Sequence, residues 1–249
     1  MSGGARFELE RAITQNELEL HYQPIFEMEG RGLWAAEALV RWRHAERGLV
    51  SPVAFLPTAE REGLMHDLTA WVLREALLQN TVWRRDGLTI RVAVNIDMFD
   101  LRDPRFRRML DRTLYVTRGD RSFVAEVHAD DDEPALGAMS DLRGVGASVA
   151  LDNVTSPRQL ERTKEWPLDA VKIGRDLIAR AVSDPAAAAA AGSIRERAQE
   201  RGMSATAVGV EDEAALSFAR SIGCVGAQGY HLAPPMTGKE LTRLVRARA

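Results

Sequence analysis

Five short apolar runs of the chain each end in a residue that can hold a metal ion or a phosphate group. The runs are Leu33–Glu37, Val92–Asn95, Phe123–Glu126, Val149–Asp152 and Ala170–Lys172. Short apolar runs of this kind are typical of buried strands in a parallel sheet. A polar residue at the end of such a strand is placed to face a ligand, so five of them predict one converging site at one end of a barrel or sheet.

Each of these end residues also has a simpler interpretation when it is taken alone. Glu37 or Glu126 would serve as a carboxylate at a barrel rim, paired with an arginine. Asn95 would be a turn or cap residue, a common role for asparagine, and Lys172 would be a solvated strand end. The occurrence of all five residues at matching strand ends favours the functional interpretation.

Strand-like and helical segments alternate along the chain, as in folds built from repeated β-then-α units. Strands are predicted at Leu18–Phe26, Leu33–Val40, Thr89–Ile96, Ser122–Val127, Ala147–Leu151, Leu168–Ile173, Ser204–Val210 and Val225–Gln228. Helices are predicted at Phe7–Gln15, at two segments between Pro52 and Gly87, and at Pro104–Val116, Glu133–Leu142, Pro157–Trp166, Arg175–Gln199 with an interruption at Asp184-Pro185, Glu213–Ile222 and Lys239–Arg246. About eight strands in 249 residues favour a closed (β/α)8 barrel, a single α/β domain over residues 1–249.

The bulk composition excludes several classes of protein. The net charge is −3, so no strong attraction to nucleic acid or to an anionic membrane is expected. No stretch approaches the roughly 18 consecutive apolar residues of a membrane span. Cys224 is the single cysteine, and none of the five histidines pairs at zinc-ligand spacing. Because the N-terminus has no apolar signal segment, a cytoplasmic protein is expected.

Several ordered motifs carry a resemblance to a known family. The segment Glu37-Ala-Leu-Val-Arg41-Trp42 is preceded by Tyr22-Gln23-Pro24 and followed by Pro52-x-x-Phe55-x-Pro57-x-Ala59-Glu60. Further along the chain come Asn95, Glu126, Asp152, Lys172, Gly209-Val210-Glu211 and Gln228-Gly229-Tyr230. Each motif alone is weak, but the ordered set resembles the EAL-domain family of bacterial cyclic di-GMP phosphodiesterases.

The resemblance implies a fold, an activity and a metal requirement. The fold is a TIM-like (β/α)8 barrel with one antiparallel strand. The activity is hydrolysis of one phosphodiester bond of cyclic di-GMP to linear pGpG with two Mg²⁺ or Mn²⁺ ions. Such ions prefer carboxylate and amide oxygens, and a pair of them neutralises a phosphate and activates water. By resemblance, the first metal ion would be held by Glu37, Asn95, Glu126 and Asp152.

The same resemblance assigns the remaining site residues. Lys172 would lie beside the attacking water and the phosphate, as the catalytic lysine of any activity that remains. Arg41 would contact a phosphate oxygen, for which a guanidinium is well shaped. The nucleotide site would be lined by Gln23, Glu37, Leu39, Arg41 and Gln228. Taken alone, Arg41 would be a surface ion-pair residue and Gln228 a loop residue.

Four positions depart from the family pattern, each where the family has a carboxylate. They are Ala129 in Glu126-Val-His-Ala129, Asn153 in Asp152-Asn-Val-Thr155, Gly174 in Lys172-Ile-Gly174 and Val208 in Ala207-Val-Gly-Val-Glu211. The second metal ion would share Asp152 and need the carboxylates that Asn153 and Val208 replace. An amide binds a dication weakly and valine does not bind it, so one Mg²⁺ or Mn²⁺ site is expected to remain and the second to be lost.

These residues support three hypotheses about function. The first is a degenerate EAL-domain signalling protein that binds cyclic di-GMP, a protein partner or both, with little or no hydrolysis. The second is a slow metal-dependent phosphodiesterase. The third is a protein-interaction module that no longer binds nucleotide, in which the lone domain signals through a protein partner. A homodimer is expected by analogy with the family.

Overall fold

The protein folds into an eight-stranded barrel surrounded by helices; it is described here from a computed structural model that covers residues 2–30, 32–114, 122–129 and 134–248. In those ranges the strands are Leu18–Glu27 (β1), Leu33–His44 (β2), Gly48–Val50 (β3), Arg91–Asn95 (β4), Phe123–Val127 (β5), Ser148–Val154 (β6), Ala170–Ile173 (β7), Ser204–Val208 (β8), Gly226–Gln228 (β9) and Met236–Thr237 (β10). β2, β4, β5, β6, β7, β8 and β9 run parallel in this order, and β1 closes the barrel by pairing antiparallel with both β2 and β9. This topology confirms the predicted barrel with one antiparallel strand.

Helices follow the strands and cover the outside of the barrel. They are Ser2–Thr14 (α1), Pro52–Arg61 (α2), Met65–Arg85 (α3), Met98–Arg102 (α4), Pro104–Leu114 (α5), Leu136–Gly144 (α6), Pro157–Arg162 (α7), Arg175–Ala181 (α8), Pro185–Glu200 (α9), Glu213–Ser221 (α10) and Gly238–Arg248 (α11). α9 shows why these helices begin where they do: Pro185 occupies its first turn and the Asp184 carboxylate accepts a hydrogen bond from the Ala186 N–H. None of the described helices is long and apolar enough to cross a membrane.

The barrel strands alternate between two apolar environments. Residues such as Phe123 and Ala125 of β5 belong to the large core that packs against the helices. Their neighbour Val124 belongs instead to a small separate cluster with Ala93, Ala150 and Ala170, one residue from each of four adjacent strands. Because side chains alternate along a strand, this small cluster fills the barrel interior, and the inward position two residues further along each strand lies above it.

The predicted elements differ from the observed ones mainly at their ends. The short strands β3 and β10 and the five-residue helix α4 were not predicted, because two to five residues carry too little periodicity. The predicted interruption of the helical region Arg175–Gln199 at Asp184-Pro185 is confirmed, because α8 ends at Ala181 and α9 begins at Pro185. The predicted helix end at Val116 and the predicted helix start at Glu133 lie outside the described residues.

Candidate functional site

Lys172 lies at the centre of the polar layer above the barrel's inner apolar cluster. Its Nζ is 2.8 Å from Glu37 Oε2, 2.8 Å from Glu126 Oε2 and 3.4 Å from Asp152 Oδ1. Glu126, Asp152 and Lys172 each stand two residues beyond a member of the inner cluster, so period-two alternation is what brings them together. Lys172 and Glu126 are almost fully buried, which excludes the interpretation of Lys172 as a solvated strand end.

Two amide side chains complete the hydrogen bonding of Glu37. Asn95 donates from Nδ2 to Glu37 Oε1 at 3.0 Å, and Gln228 donates from Nε2 to Glu37 Oε2 at 2.7 Å. Gln228 also contacts Gln23 Oε1 at 3.1 Å, while its own Oε1 is buried without a partner among the described residues. Gln228 is therefore a strand residue of the site and not a loop residue, and it presents an unused acceptor.

The cluster contains three carboxyl groups and one ammonium group, and this ratio shifts the pKa values of its members. Burial alone would lower the pKa of Lys172, but the carboxylates of Glu126, Glu37 and Asp152 raise it well above its ordinary value. Burial and the neighbouring Glu37 carboxylate raise the pKa of Glu126 well above its usual range. Burial opposes ionisation of Glu37 as well, but Lys172 and the amide hydrogen bonds lower its pKa overall.

The nucleotide residues assigned to β2 lie on the same face as Glu37. Leu39 and Arg41 follow Glu37 at two-residue intervals and are half-buried. Burial lowers the pKa of Arg41, and the nearby Tyr230 and Glu37 partly offset that effect. Arg41 Nη1 donates to the Val40 carbonyl at 2.8 Å, and no carboxylate of the described residues forms an ion pair with it, so the surface ion-pair interpretation fails.

An apolar cavity of about 400 Å³ adjoins this face, with Leu39 and Asn95 in its wall. Side chains of α2 and α3 form its far side, among them Leu56, Met65 and Leu68. Cavities of this size with a few polar groups at the edge are typical small-molecule sites. A larger groove of about 800 Å³ lies away from the acidic cluster, on the outer wall between α10 and α11.

The four departing positions surround the cluster without adding charge to it. Val208 is paired in register with Gln228 and is half-buried, so a side chain there faces the site. Asn153 is exposed and stands next to Asp152 at the end of β6. Ala129 is buried just after β5, and Gly174 is buried at the end of β7. The chain thus presents an amide, two apolar residues and a glycine where four carboxylates would be expected by resemblance.

The chemical types of the donor groups in this cluster suit a hard divalent cation, although their present positions do not surround one point. With all three carboxyl groups of Glu37, Glu126 and Asp152 ionised, they would outnumber the single ammonium of Lys172 by two negative charges. A dication would balance them, and carboxylate and amide oxygens are the ligands that Mg²⁺ and Mn²⁺ prefer. Among the described residues no three His, Cys, Asp or Glu side chains already surround one point. Holding a cation therefore requires these side chains, together with Asn95, to turn from Lys172 toward a common centre.

Comparison with known proteins identifies the family to which this barrel belongs. The family model for the EAL domain matches residues 6–235. The chain belongs to the EAL domain family.

This EAL domain is 31% identical over 234 residues to the cyclic di-GMP phosphodiesterase PdeR of Escherichia coli, an alignment that covers 92% of this chain and 35% of PdeR. It is 29% identical over 245 residues to the cyclic di-GMP phosphodiesterase PA2567 of Pseudomonas aeruginosa, covering 96% of this chain and 42% of that protein. The chain thus spans well under half the length of these relatives.

Solved EAL structures superpose on nearly the whole barrel. The PaMucR phosphodiesterase in complex with c-di-GMP aligns with a TM-score of 0.86 and 29% identity, covering 96% of this chain and 99% of that one. The EAL domain of Mycobacterium smegmatis DcpA aligns with a TM-score of 0.77 and 28% identity, covering 92% and 98%. This EAL domain is therefore a signalling protein of a family related to cyclic di-GMP phosphodiesterases.

Some features beside the site carry no clear sign in the sequence. Arg175 forms an ion pair with Glu211 at the ends of β7 and β8, and its stem lies against Gly209. Asn153 has φ of 52°, in the left-handed region of the backbone map. Asparagine is one of the few residues that enter this region at all, but the residue type alone does not predict that it does so here.

Proposed function

We propose that this EAL domain binds cyclic di-GMP with the help of one divalent cation and hydrolyses it little or not at all. Glu37, Asn95, Glu126 and Asp152 would hold the cation, which when bound neutralises phosphate charge and lowers the pKa of coordinated water. The observation that carries the proposal is the pairing of an intact acidic cluster around Lys172 with neutral residues at Asn153 and Val208.

The retained residues suit ligand binding. Arg41 carries no carboxylate partner among the described residues, so its guanidinium is available to a phosphate oxygen. The apolar cavity beside Leu39 offers a place for a flat heterocycle, and Gln23 and Gln228 supply amide hydrogen-bonding groups at the other side of Glu37. Binding of a charged, planar nucleotide uses all three kinds of contact.

The replaced residues argue against efficient hydrolysis. A second cation would keep one carboxylate ligand, Asp152, because Asn153 and Val208 replace the other two. Removing two carboxylates from a dication site greatly weakens binding, because each supplies a full negative charge at short range. With one cation, phosphate binding suffers less than water activation, since two metal ions clamp both the attacking and the leaving oxygen.

Calorimetric titration with cyclic di-GMP tests the binding half of the proposal. Mg²⁺, Mn²⁺ and Ca²⁺ are supplied in separate experiments, and Glu37→Gln serves as the matched loss-of-site variant. Saturable heat in the wild type and its loss in Glu37→Gln support the proposal. Absence of heat at high micromolar protein with every cation would remove the binding half and favour the interaction-only module.

A slow phosphodiesterase is the second candidate, and one observation favours it. Lys172 and the complete set of first-cation residues are held together, as a hydrolytic site would need. Chromatographic detection of pGpG with Mn²⁺ discriminates the two candidates. Steady turnover that disappears in Glu37→Gln would establish the phosphodiesterase. A single domain over residues 1–249, a cytoplasmic location, a homodimer and a protein partner remain predictions.

A further inference from the structure

The apolar cavity beside the acidic cluster has a polar edge at the ends of β4 and β5. Asp97 and His128 follow Asn95 and Glu126 at two-residue intervals on these adjacent strands. Both are exposed, and both lie in the wall of the cavity together with Leu39. The residues that follow the proposed cation ligands along their strands therefore face the cavity and not the cation.

Asp97 keeps an extended geometry past the end of β4. The Ile96 N–H donates to the Glu126 carbonyl at 2.8 Å, and Asp97 has φ of −71° and ψ of 144°. Its side chain therefore leaves the chain on the same side as that of Asn95. Its Oδ1 accepts a hydrogen bond from the Phe99 N–H at 2.7 Å and caps α4. None of the described residues donates to its second oxygen, Oδ2, which is available to a ligand.

The polar groups of this cavity wall favour a partner that donates hydrogen bonds. Glu60 of α2 adds a second carboxylate to that of Asp97, while the Thr69 hydroxyl is already committed to the Met65 carbonyl at 2.9 Å. None of the described residues in the wall is a lysine or an arginine. Carboxylates accept hydrogen bonds and repel other anions. The cavity therefore suits the N–H edge of a heterocycle, and the phosphate is left to Arg41.

We infer that the Asp97 carboxylate accepts hydrogen bonds from the N1–H and 2-amino groups of a guanine base seated in this cavity, and that Asp97 is a specificity-determining residue. The inference rests on the proposed function, in which a heterocycle of cyclic di-GMP occupies the cavity. Guanine presents these two donors on neighbouring ring positions. Hypoxanthine keeps N1–H but lacks the amino group, and adenine has neither donor there. A polar group that a ligand leaves unpaired lowers affinity strongly, which is how such a site selects its base.

Helix capping alone does not require a carboxylate at position 97. Asparagine and serine cap a helix about as well as aspartate, so either would serve α4. Asp103 caps α5 with the same geometry, because its Oδ1 accepts from the Arg105 N–H at 2.7 Å. Asp103 is not in the cavity wall. The two aspartates thus share the capping role and differ in access to the cavity, which makes Asp103 the matched control.

The test compares two ligands that differ only in the 2-amino group. Cyclic di-GMP and its inosine analogue, cyclic di-IMP, are titrated with Mn²⁺ into the wild type and Asp97→Asn by calorimetry. The wild type is expected to prefer cyclic di-GMP by at least about tenfold, the usual effect of one hydrogen bond to a charged group. In Asp97→Asn this preference should fall by about tenfold, because the amide that replaces the second oxygen offers a donor to a donor.

The ratio of the two affinities separates base recognition from a structural effect. A general disturbance of the fold would weaken both ligands equally, so an unchanged ratio in Asp97→Asn would overturn the inference. Asp103→Asn should keep the wild-type ratio, and an equal fall there would also overturn it. Thermal unfolding of the same samples verifies folding. If Asp97→Asn does not fold, Asp97→Ser takes its place, and loss of folding in both would show a purely structural role and overturn the inference.

Failure of the proposed function is distinguishable from failure of this inference. A wild type that binds no cyclic di-GMP with any cation would contradict the proposed function. Guanosine and inosine, which carry no phosphate, then test the cavity by NMR titration in the millimolar range with chelator present. Guanosine should bind the wild type more tightly than inosine does, and Asp97→Asn should remove most of the difference. Absence of guanosine binding, or the same difference in both proteins, would overturn the inference.

Discussion

Lys172 Nζ lies 2.8 Å from Glu126 Oε2 inside the barrel, where both side chains are almost fully buried, although 46 residues separate the two in the chain. The same ammonium also serves Glu37 and Asp152. One ammonium group faces three carboxyl groups, and this excess of acidic groups underlies the proposal that a divalent ion belongs there. Without a divalent ion, Lys172 is the group that supplies positive charge to these buried carboxyl groups.

Replacing Lys172 is expected to destabilise the domain in the absence of divalent ions. Lys172→Met keeps much of the side-chain volume but leaves buried carboxylates without their cation. Removing one partner of a buried ion pair costs about 3–5 kcal/mol, and the free energy of unfolding measured by urea denaturation with chelator present should fall by that order. Added Mn²⁺ should recover part of the loss, because it supplies positive charge to the same carboxylates.

Lys164→Met is the matched control for that experiment, since Lys164 is exposed on the segment after α7. Its free energy of unfolding should change by less than about 0.5 kcal/mol, as is usual for surface substitutions. Equal losses for the two variants would mean that Lys172 does not hold the acidic cluster together.

Glu126 should make the stability of the cation-free domain fall as the pH rises. Its folded-state pKa is raised by burial and by Glu37, so the folded state keeps a proton that the unfolded state has lost. Stability from this group is fully present below the unfolded-state pKa and is lost as the pH rises through the folded-state pKa. Urea denaturation with chelator, from acid to neutral pH, should show a decline that Glu126→Gln reduces.

Mn²⁺ provides the control for this pH dependence. A bound dication favours the ionised carboxylate, so the decline should shrink or reverse in its presence. An identical pH profile in the wild type and in Glu126→Gln would contradict the raised pKa.

Arg41 should matter for nucleotide affinity and little for stability. Loss of a charged hydrogen bond to phosphate costs about 1.5–3 kcal/mol, so Arg41→Ala should weaken cyclic di-GMP binding by about tenfold to 100-fold. Titration calorimetry measures the change, and thermal unfolding verifies that the fold is intact. Arg43→Ala is the control, because Arg43 is exposed two residues further along β2 and pairs with Glu19. Equal weakening in both variants would argue against a phosphate contact by Arg41.

Cys224 should react with thiol reagents only when the domain unfolds. The thiol is buried, and burial raises its pKa to about 12. At pH 8 only about one molecule in 10⁴ would carry the reactive thiolate. The absorbance of a chromogenic disulfide reagent should therefore rise slowly in buffer and immediately in concentrated urea. Rapid labelling of the native protein would mean that the β8–β9 side of the barrel is open to solvent.

Restoring both missing carboxylates of the second cation site should raise hydrolysis. Asn153→Asp with Val208→Glu returns two negative charges beside Asp152, and a second cation assists water activation. Chromatography should detect at least about tenfold more pGpG than from the wild type. A crystal structure of the double variant grown with Mn²⁺ that contains a single cation would contradict the role assigned to these two positions.

The sequence predicted the barrel and the convergence of its strand-end side chains because both depend on period-two patterns. Glu126, Asp152 and Lys172 end short apolar runs, and parallel strands bring such ends together regardless of the sequence between them. The burial of Lys172 among carboxylates was harder to predict, because a lysine at a strand end is ordinarily solvated. Only three-dimensional packing reveals that three carboxylates enclose it.

The bulge at Asn153 was beyond sequence reasoning for a different reason. Its left-handed backbone accompanies a register shift between β6 and β7, which is a feature of strand pairing and not of one local segment. Local propensity permits asparagine in that conformation but does not require it.

The most direct measurement combines binding and hydrolysis on one preparation. Cyclic di-GMP is titrated into the domain with Mg²⁺ and then with Mn²⁺, and the recovered samples are analysed for pGpG. The account predicts saturable binding that requires Glu37, together with little or no pGpG. Rapid conversion to pGpG by the wild type, abolished in Glu37→Gln, would contradict it.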